Sequence, residues 1–431
     1  MKTALDTSYY LSFFKKELTD NLLFFWMDRC LDKENGGYLN CFSGDGSRLV
    51  STDKYTWSMG RFLWIFSRLS ITESDLFDSK ERERFLRYAK SGRDFLLSHV
   101  LVGKNDFRCV YLMSADGKPK KMDGHEGYDL SIFADCFVVM GFAAYARAAK
   151  DAEAWLFAKN LFESVWSRYQ SGNYRSLPYP VSSVYREHAK PMILTNVCCE
   201  LYRAAQCFDA EYTQALRERI AQCHEEVFEL FCDENDLIHE FCYAKGGFPN
   251  HLFGQHINPG HTLEDMWFQC EAADILKSDR YLKQIERTSL QTIRIGWDDT
   301  FGGIYHFIAT DGTDTRYTLG DAENEPQMRL VLDDWGSKLW WVHSEALYTM
   351  LLLYFRTENE KFLDMFVKVF DYTYKTFPNP DRNIREWIQI RTREGKPQEK
   401  VVALPVKDPY HIIRNVLLII ELLEKQKRNK K

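Results

Sequence analysis

The 431-residue chain has no Pro/Gly/Ser-rich linker and no shift of composition along its length, which argues against a string of separate domains. No run approaches the ~18 apolar residues of a membrane span. The opening MKTALDTSYYLSFFKKELTD lacks the apolar core and small-residue cleavage site of a secretory signal. It reads as the first helix, and the chain is expected to be soluble. Charge is nearly balanced, 56 basic against 62 acidic residues for a net −6, so neither nucleic acid nor a membrane is expected as a partner. The eleven cysteines form no C-x-x-C pair. Most, such as Cys136, Cys198, Cys199 and Cys270, sit in apolar helical patterns, which fits free buried thiols and a cytoplasmic setting better than a disulfide framework. A phosphate-cradling G-x-x-x-x-G-K-[ST] loop and a dinucleotide fingerprint are missing too, and no cofactor is expected.

What is present is helix. With 45% hydrophobic and 15% aromatic residues the chain can fill a large core. Apolar periodicity predicts twelve helices, at Tyr9–Leu31, Lys54–Leu69, Arg82–Leu101, Tyr128–Lys150, Ala152–Ser171, His188–Phe208, Ala210–Cys232, His261–Ser278, Asp279–Gly296, Ser337–Arg356, Glu358–Phe377 and Pro409–Lys427. Short connections follow the even-numbered helices and long ones the odd-numbered. Four long connections, Gly37–Ser51, Phe107–Lys120, Gly302–Thr315 and Ile384–Lys396, carry strand-like runs around a Gly-containing turn and read as β-hairpins. Six helical hairpins of roughly seventy residues close most economically into an all-α (α/α)6 barrel, a single domain from residue 1 to 431. The long connections then gather at one end, where even-numbered helices begin, and function is expected there.

Four ionisable residues fall at that end. His261 opens a helix after the Pro259–Gly260 turn, and His411 opens the last helix after VKDPY. Arg61 lies early in the second helix and Glu345 in the tenth. Glu264, three residues beyond His261, shares its helix face and is expected to hydrogen-bond its ring. A histidine at a helix mouth oriented by a carboxylate suits a general acid/base. His251, His256 and His261 recur every five residues, but no metal-site spacing accompanies them, and no metal is expected. His224 reads as an exposed helix residue, His343 as either a cavity or a core residue, and His306 as a strand-face histidine within reach of a ligand.

The motifs NPGHTLEDMWF (Asn258–Phe268), KLWWVHSEAL (Lys338–Leu347), KDPYHIIR (Lys407–Arg414) and WSMGRFLW (Trp57–Trp64), with ENGGYLN (Glu34–Asn40) and FGGIYHF (Phe301–Phe307), together resemble the N-acylglucosamine 2-epimerase family in order and spacing. The resemblance implies the (α/α)6 fold, metal-independent chemistry, a small-molecule sugar substrate and a homodimer. It implies that His261 and His411 are the catalytic acid/base pair and that Arg61, Glu264 and Glu345 bind substrate. One face of C2 would lose its proton and the other regain it through an enediolate, with Arg61 at O1. Relatives acting on cellobiose or mannose carry a third histidine in the sixth helix, where this chain has Asn196. That favours the N-acetylglucosamine/N-acetylmannosamine pair. Gln255 stands where that branch has an arginine, a lost cation that bears on the N-acyl or distal hydroxyl end. Two other readings stay open: a neutral-sugar epimerase or aldose–ketose isomerase on the same site, and an (α/α)6 glycoside hydrolase using Glu345 with Glu264 or Asp265.

Overall fold

The computed structural model describes residues 5–313 and 318–429. Its helices are α1 (Thr7–Lys16), continued without a break through a π-helical stretch into α2 (Phe24–Arg29), then α3 (Thr56–Ser70), α4 (Ser79–His99), α5 (Ile132–Ala149), α6 (Ala152–Ser171), α7 (Ala189–Phe208), α8 (Tyr212–Glu226), α9 (Pro259–Leu276), α10 (Leu282–Gly296), α11 (Pro326–Asp334), α12 (Trp340–Thr357), α13 (Glu360–Thr376) and α14 (Tyr410–Asn429). Counting α1 and α2 as one, twelve of these follow the periodicity within a few residues. The short α11 is an addition inside the connection between α10 and α12.

The inner ring is α3, α5, α7, α9, α12 and α14, each packed on the next, with α14 returning to α3. The fold is an (α/α)6 barrel. The two helix classes differ in how much of their surface is buried. Every residue from Ile132 to Ala146 of α5 is buried, whereas α4 buries a stripe of Phe85, Ala89, Gly92, Phe95 and Leu96. The α5 helix also corrects the reading of apolar runs. Its 18 residues, mean hydropathy 1.5, are long and apolar enough to cross a membrane, but 83% of that window is buried inside the barrel. A central helix touched on all sides has no need of a polar face. All eleven cysteines are free, and nine of them are buried.

The long connections pair differently from simple hairpins. A local hairpin forms between Cys41–Phe42 and Leu49–Ser51. The other expected hairpins mostly lend their strands to a neighbouring connection. Leu112–Met113 pairs with Lys54–Tyr55, Ile308–Ala309 with His256–Ile257, and Ile390–Arg391 with Lys338–Leu339. A fourth such pair joins Tyr185–Glu187 to Phe241–Tyr243. These ladders tie adjacent connections together around one end of the barrel. Thr315, the expected end of one hairpin, lies outside the described residues.

Helix α3 meets α5 at its closest where Gly60 faces the Phe137–Val138 backbone. A Cβ on Gly60 would stand 2.6 Å from the Val138 nitrogen, and one on Gly141 would stand 2.6 Å from the Gly60 oxygen. Backbone cannot move aside as a flexible side chain does. Gly60→Ala should therefore destabilise the protein by about 1–3 kcal/mol, read as a lowered denaturation midpoint, and should displace the adjoining Arg61.

Candidate active site

At the end of the barrel where the inner helices begin, a cavity of about 580 Å³ opens. Arg61, His261, Glu264 and His411 line it, together with Trp57, Trp340, Trp341 and His306. The sequence around His261 builds its presentation step by step. Asn258 caps α9, its side chain accepting from the Gly260 and His261 amides at 3.0 and 3.2 Å. Pro259 occupies the first helical turn, where its missing N–H costs nothing. Gly260 leaves room for Trp341, whose Cη2 would lie 2.6 Å from an added Cβ. His261 is thereby set in the first turn of α9 and faces the cavity.

The carboxylate that orients His261 is Glu240, from the connection before α9. Its Oε2 lies 2.8 Å from His261 Nδ1, so Nε2 is the nitrogen left for the cavity. Glu264 does not serve His261 as expected. The helix turns it toward α14, where its Oε1 accepts from Arg414 Nη2 at 2.5 Å. The same guanidinium nitrogen donates to Glu345 Oε1 at 2.6 Å, and that oxygen also receives His411 Nδ1 at 2.7 Å. Glu345 Oε2 accepts from the Trp267 indole at 2.9 Å. Glu345 is fully buried and lines none of the cavity, so it holds His411 from behind. Glu264, Glu345 and His411 are close enough together to suggest a metal triad, but Arg414 already places its cation between the two carboxylates.

Arg61 Nη1 lies 2.5 Å from Asp408 Oδ2, and its guanidinium rests over the Phe137 ring at 4.1 Å and the Tyr410 ring at 4.8 Å. Pairing and stacking fix its orientation while one edge faces the cavity. Two expected substrate contacts fall outside the lining. Asn196 is buried on α7 a turn beyond Met192 and Ile193, which themselves form the wall, so it lies below the cavity floor. Gln255 uses its amide within the loops, donating to the Pro249 carbonyl and accepting from Thr310 Oγ1, each at 3.0 Å.

The other histidines sort by burial. His224 is buried, with Nδ1 2.6 Å from Gln269 Oε1, not exposed. His343 is core, its Nδ1 facing the Leu339 carbonyl and its Nε2 accepting from the Ile304 amide. Neither His251 nor His256 lines the cavity, whereas His306 does. His188, Glu240, Asp265 and Arg414 are polar groups that sequence spacing did not single out for these roles. His188 Nε2 lies 2.8 Å from Asp265 Oδ2, and its Nδ1 is 3.6 Å from Glu240.

The two cavity histidines at the helix mouths differ in how readily they take a proton. Burial opposes protonation of both. At His261 the Glu240 carboxylate outweighs burial and the net shift is upward. At His411 burial prevails, with Arg61 and Arg414 adding to it against Glu264 and Asp408, and the ring is held down at about 3. Burial likewise opposes the charge on Glu240, but His261 and His188 carry it well below the usual carboxylate range. The arrangement is two imidazoles of unequal basicity, His261 holding a proton more readily than His411, each with Nδ1 anchored on a carboxylate. They flank Trp341, whose ring centroid lies 5.3 Å from His261 and 5.5 Å from His411. Such a pair can donate a proton at one point of a ligand while accepting one at another.

The profile of the family described as N-acylglucosamine 2-epimerase (GlcNAc 2-epimerase) matches residues 37–415. The chain belongs to this family. The N-acylglucosamine 2-epimerase of Bos taurus is 28% identical over 408 residues, 94% of this chain and 89% of the relative. The cellobiose 2-epimerase of Ruminococcus albus is 24% identical over 426 residues, 95% and 98% of the two chains. Among solved structures, cellobiose 2-epimerase from Bacillus thermoamylovorans superposes with a TM-score of 0.76 at 19% identity, covering 97% of this chain and 100% of that one. A glycoside hydrolase family 76 mannosidase from Bacteroides thetaiotaomicron shares the fold more loosely, with a TM-score of 0.56 at 11% identity over 99% and 100% of the chains.

Glu240→Gln keeps the side-chain shape but removes the charge that favours the His261 imidazolium. The His261 ring resonances should titrate at lower pH in this variant than in the unmodified protein, and a proton NMR titration reads the difference directly.

Proposed function

We propose that the enzyme interconverts N-acetylglucosamine and N-acetylmannosamine, with His261 and His411 exchanging the proton on C2 through an enediolate. Sugar 2-epimerisation, an isomerase reaction, follows from the family and the named relatives. The choice of the N-acetyl pair rests on relatives of greater identity bearing the N-acylglucosamine name and on the apolar wall of Phe137, Met192 and Ile193, which suits an acyl methyl.

The observation that carries the mechanism is the pair of histidines in one cavity, each with Nδ1 anchored on a different carboxylate. Epimerisation needs a base on one face of C2 and an acid on the other. The neutral His411 takes the proton, the His261 imidazolium returns one, and the reverse reaction exchanges their parts. Arg61 would meet the developing charge at O1, where a fixed cation acts without reorganising. The hydrolase reading needs two carboxylates free to flank a glycosidic bond. Here Glu264 and Glu345 are engaged with Arg414 and His411, and Asp265 with His188 and Gln269, which counts against it.

Proton NMR in D₂O tests the reading. The C2–H signal of N-acetylmannosamine should disappear as the anomeric signals of N-acetylglucosamine grow, and His261→Asn or His411→Asn should slow this by about 10²–10⁴-fold. A ketose product would move the assignment to an isomerase, and near-normal turnover in either variant would end the two-histidine mechanism. The pH profile has a definite sign. The competent pair carries one proton in either direction, so both directions share one profile of kcat/KM. Activity is lost at low pH only when His411 also becomes charged, and at high pH when His261 loses its proton. With His411 held at about 3 and His261 raised by Glu240, the acid limb of kcat/KM should lie well below, and the alkaline limb above, the range of an ordinary histidine.

A further inference from the structure

A third histidine lines the same cavity and is not one of the two assigned to C2. His306 follows the Gly302–Gly303 turn, where both glycines take a φ of +76°. Its Nδ1 lies 3.1 Å from Asp334 Oδ2. Asp334 is itself fixed by the Ser337 hydroxyl and by Lys400 Nζ at 2.8 Å. A buried carboxylate so held accepts from Nδ1–H, which leaves Nε2 as an acceptor toward the cavity that His306 lines. The His306 ring stands edge-on to Trp341, with centroids 6.2 Å apart at 88°. His261, His306 and His411 therefore surround one indole, each with Nδ1 on its own carboxylate. Among the described residues these three do not bring ligand atoms within 4.8 Å of one another, as a shared ion would require. They are spaced to act on different atoms of one ligand.

A 2-epimerase acting on a pyranose needs one step before C2 becomes acidic. The closed ring has no carbonyl at C1, so the ring must open, and opening removes the O1 proton. Two histidines assigned to the two faces of C2 leave that step unserved. We propose that His306 is the general base for ring opening. Its Nε2 takes the O1 proton, C1=O1 forms, and the C1–O5 bond breaks with its electrons passing to O5. O5 takes a proton from a cavity water, and the hydroxide so formed recovers the proton held by His306. Burial keeps His306 below the ordinary histidine value against the opposing pull of Asp334, so its lone pair is free at neutral pH. The assignment rests on the 2-epimerase reading and adds a group to it.

The experiment dissolves pure α-N-acetylglucosamine in D₂O and follows two signals, α-to-β anomer conversion and loss of C2–H. The unmodified enzyme should accelerate both. His306→Asn and His306→Gln should lose at least tenfold of the catalysed anomer conversion, whereas His261→Asn should keep it and lose C2 exchange. Circular dichroism selects whichever His306 variant folds. Anomer conversion at the normal rate in a folded His306 variant, or none above background with the unmodified enzyme, would overturn the proposal. Absence of C2 exchange in the unmodified enzyme would instead overturn the 2-epimerase reading, while loss of catalysed anomer conversion in the His306 variants would still uphold ring opening.

Discussion

The Arg414 guanidinium lies between Glu264 and Glu345 near the barrel axis, drawn from three inner helices and almost wholly shielded from water. Without it two buried carboxylates would face each other uncompensated, and an uncompensated buried charge costs several kcal/mol. Arg414 stands three residues after His411, so a single turn of α14 delivers both the histidine and the cation that makes its carboxylate support tolerable. The same helix entry carries Asp408, which pairs with Arg61 of the neighbouring α3. Acid and base therefore alternate from Arg61 through Asp408 and His411 to Glu345, Arg414 and Glu264. Each charge is satisfied by the next, and each side chain is fixed by its partners as well as by packing.

This alternation explains why two histidines with similar anchors behave differently. At His411 burial prevails, and Arg61 and Arg414 add to it against Glu264 and Asp408. Glu240 faces no guanidinium; its neighbours are His261 and His188, and both are pushed upward, His188 to about 9, against the effect of burial. At His261 the Glu240 carboxylate outweighs burial and favours the proton. The unequal strength of the pair thus arises from burial and from the charges set around each ring, not from the histidines themselves.

Helical periodicity and the alternation of short and long connections were enough to give the barrel, because both depend on local apolar spacing and chain length. The N-P-G-H sequence was legible for the same reason: cap, first turn, clearance and histidine are consecutive. The partners of His261 and His306 were not. Glu240 is 21 residues from His261 and Asp334 is 28 from His306, and each sits in a connection whose path is set by strand pairing with a different connection. Glu264 seemed the natural partner for His261 because three residues along a helix share a face, yet that face also looks toward α14, and a buried arginine has the stronger claim on a carboxylate. Asn196 and Gln255 were misplaced for a related reason. A family position fixes the place in a motif but not the depth along a helix or the direction of an amide.

The strand ladders also explain how irregular connections can hold a site steady. Lys54 and Lys338 each stand just before an inner helix, and both are fully buried. Lys54 Nζ lies 2.8 Å from Asp32 and also donates to the Gly36 and Ala115 carbonyls, while Lys338 Nζ lies 3.1 Å from Asp298. Asp32 and Asp298 each precede a Gly-Gly pair and accept from the backbone amides just before it, those of Glu34 and Asn35 and of Thr300 and Phe301. The same device thus appears at the entry of α3, which carries Arg61, and of α12, which carries Trp341 and Glu345. A buried ammonium requires its carboxylate at a fixed distance, so each lysine ties the start of an inner helix to the turn of an earlier connection. The helices that bring Arg61 and Trp341 to the cavity thus each start from a buried charge pair.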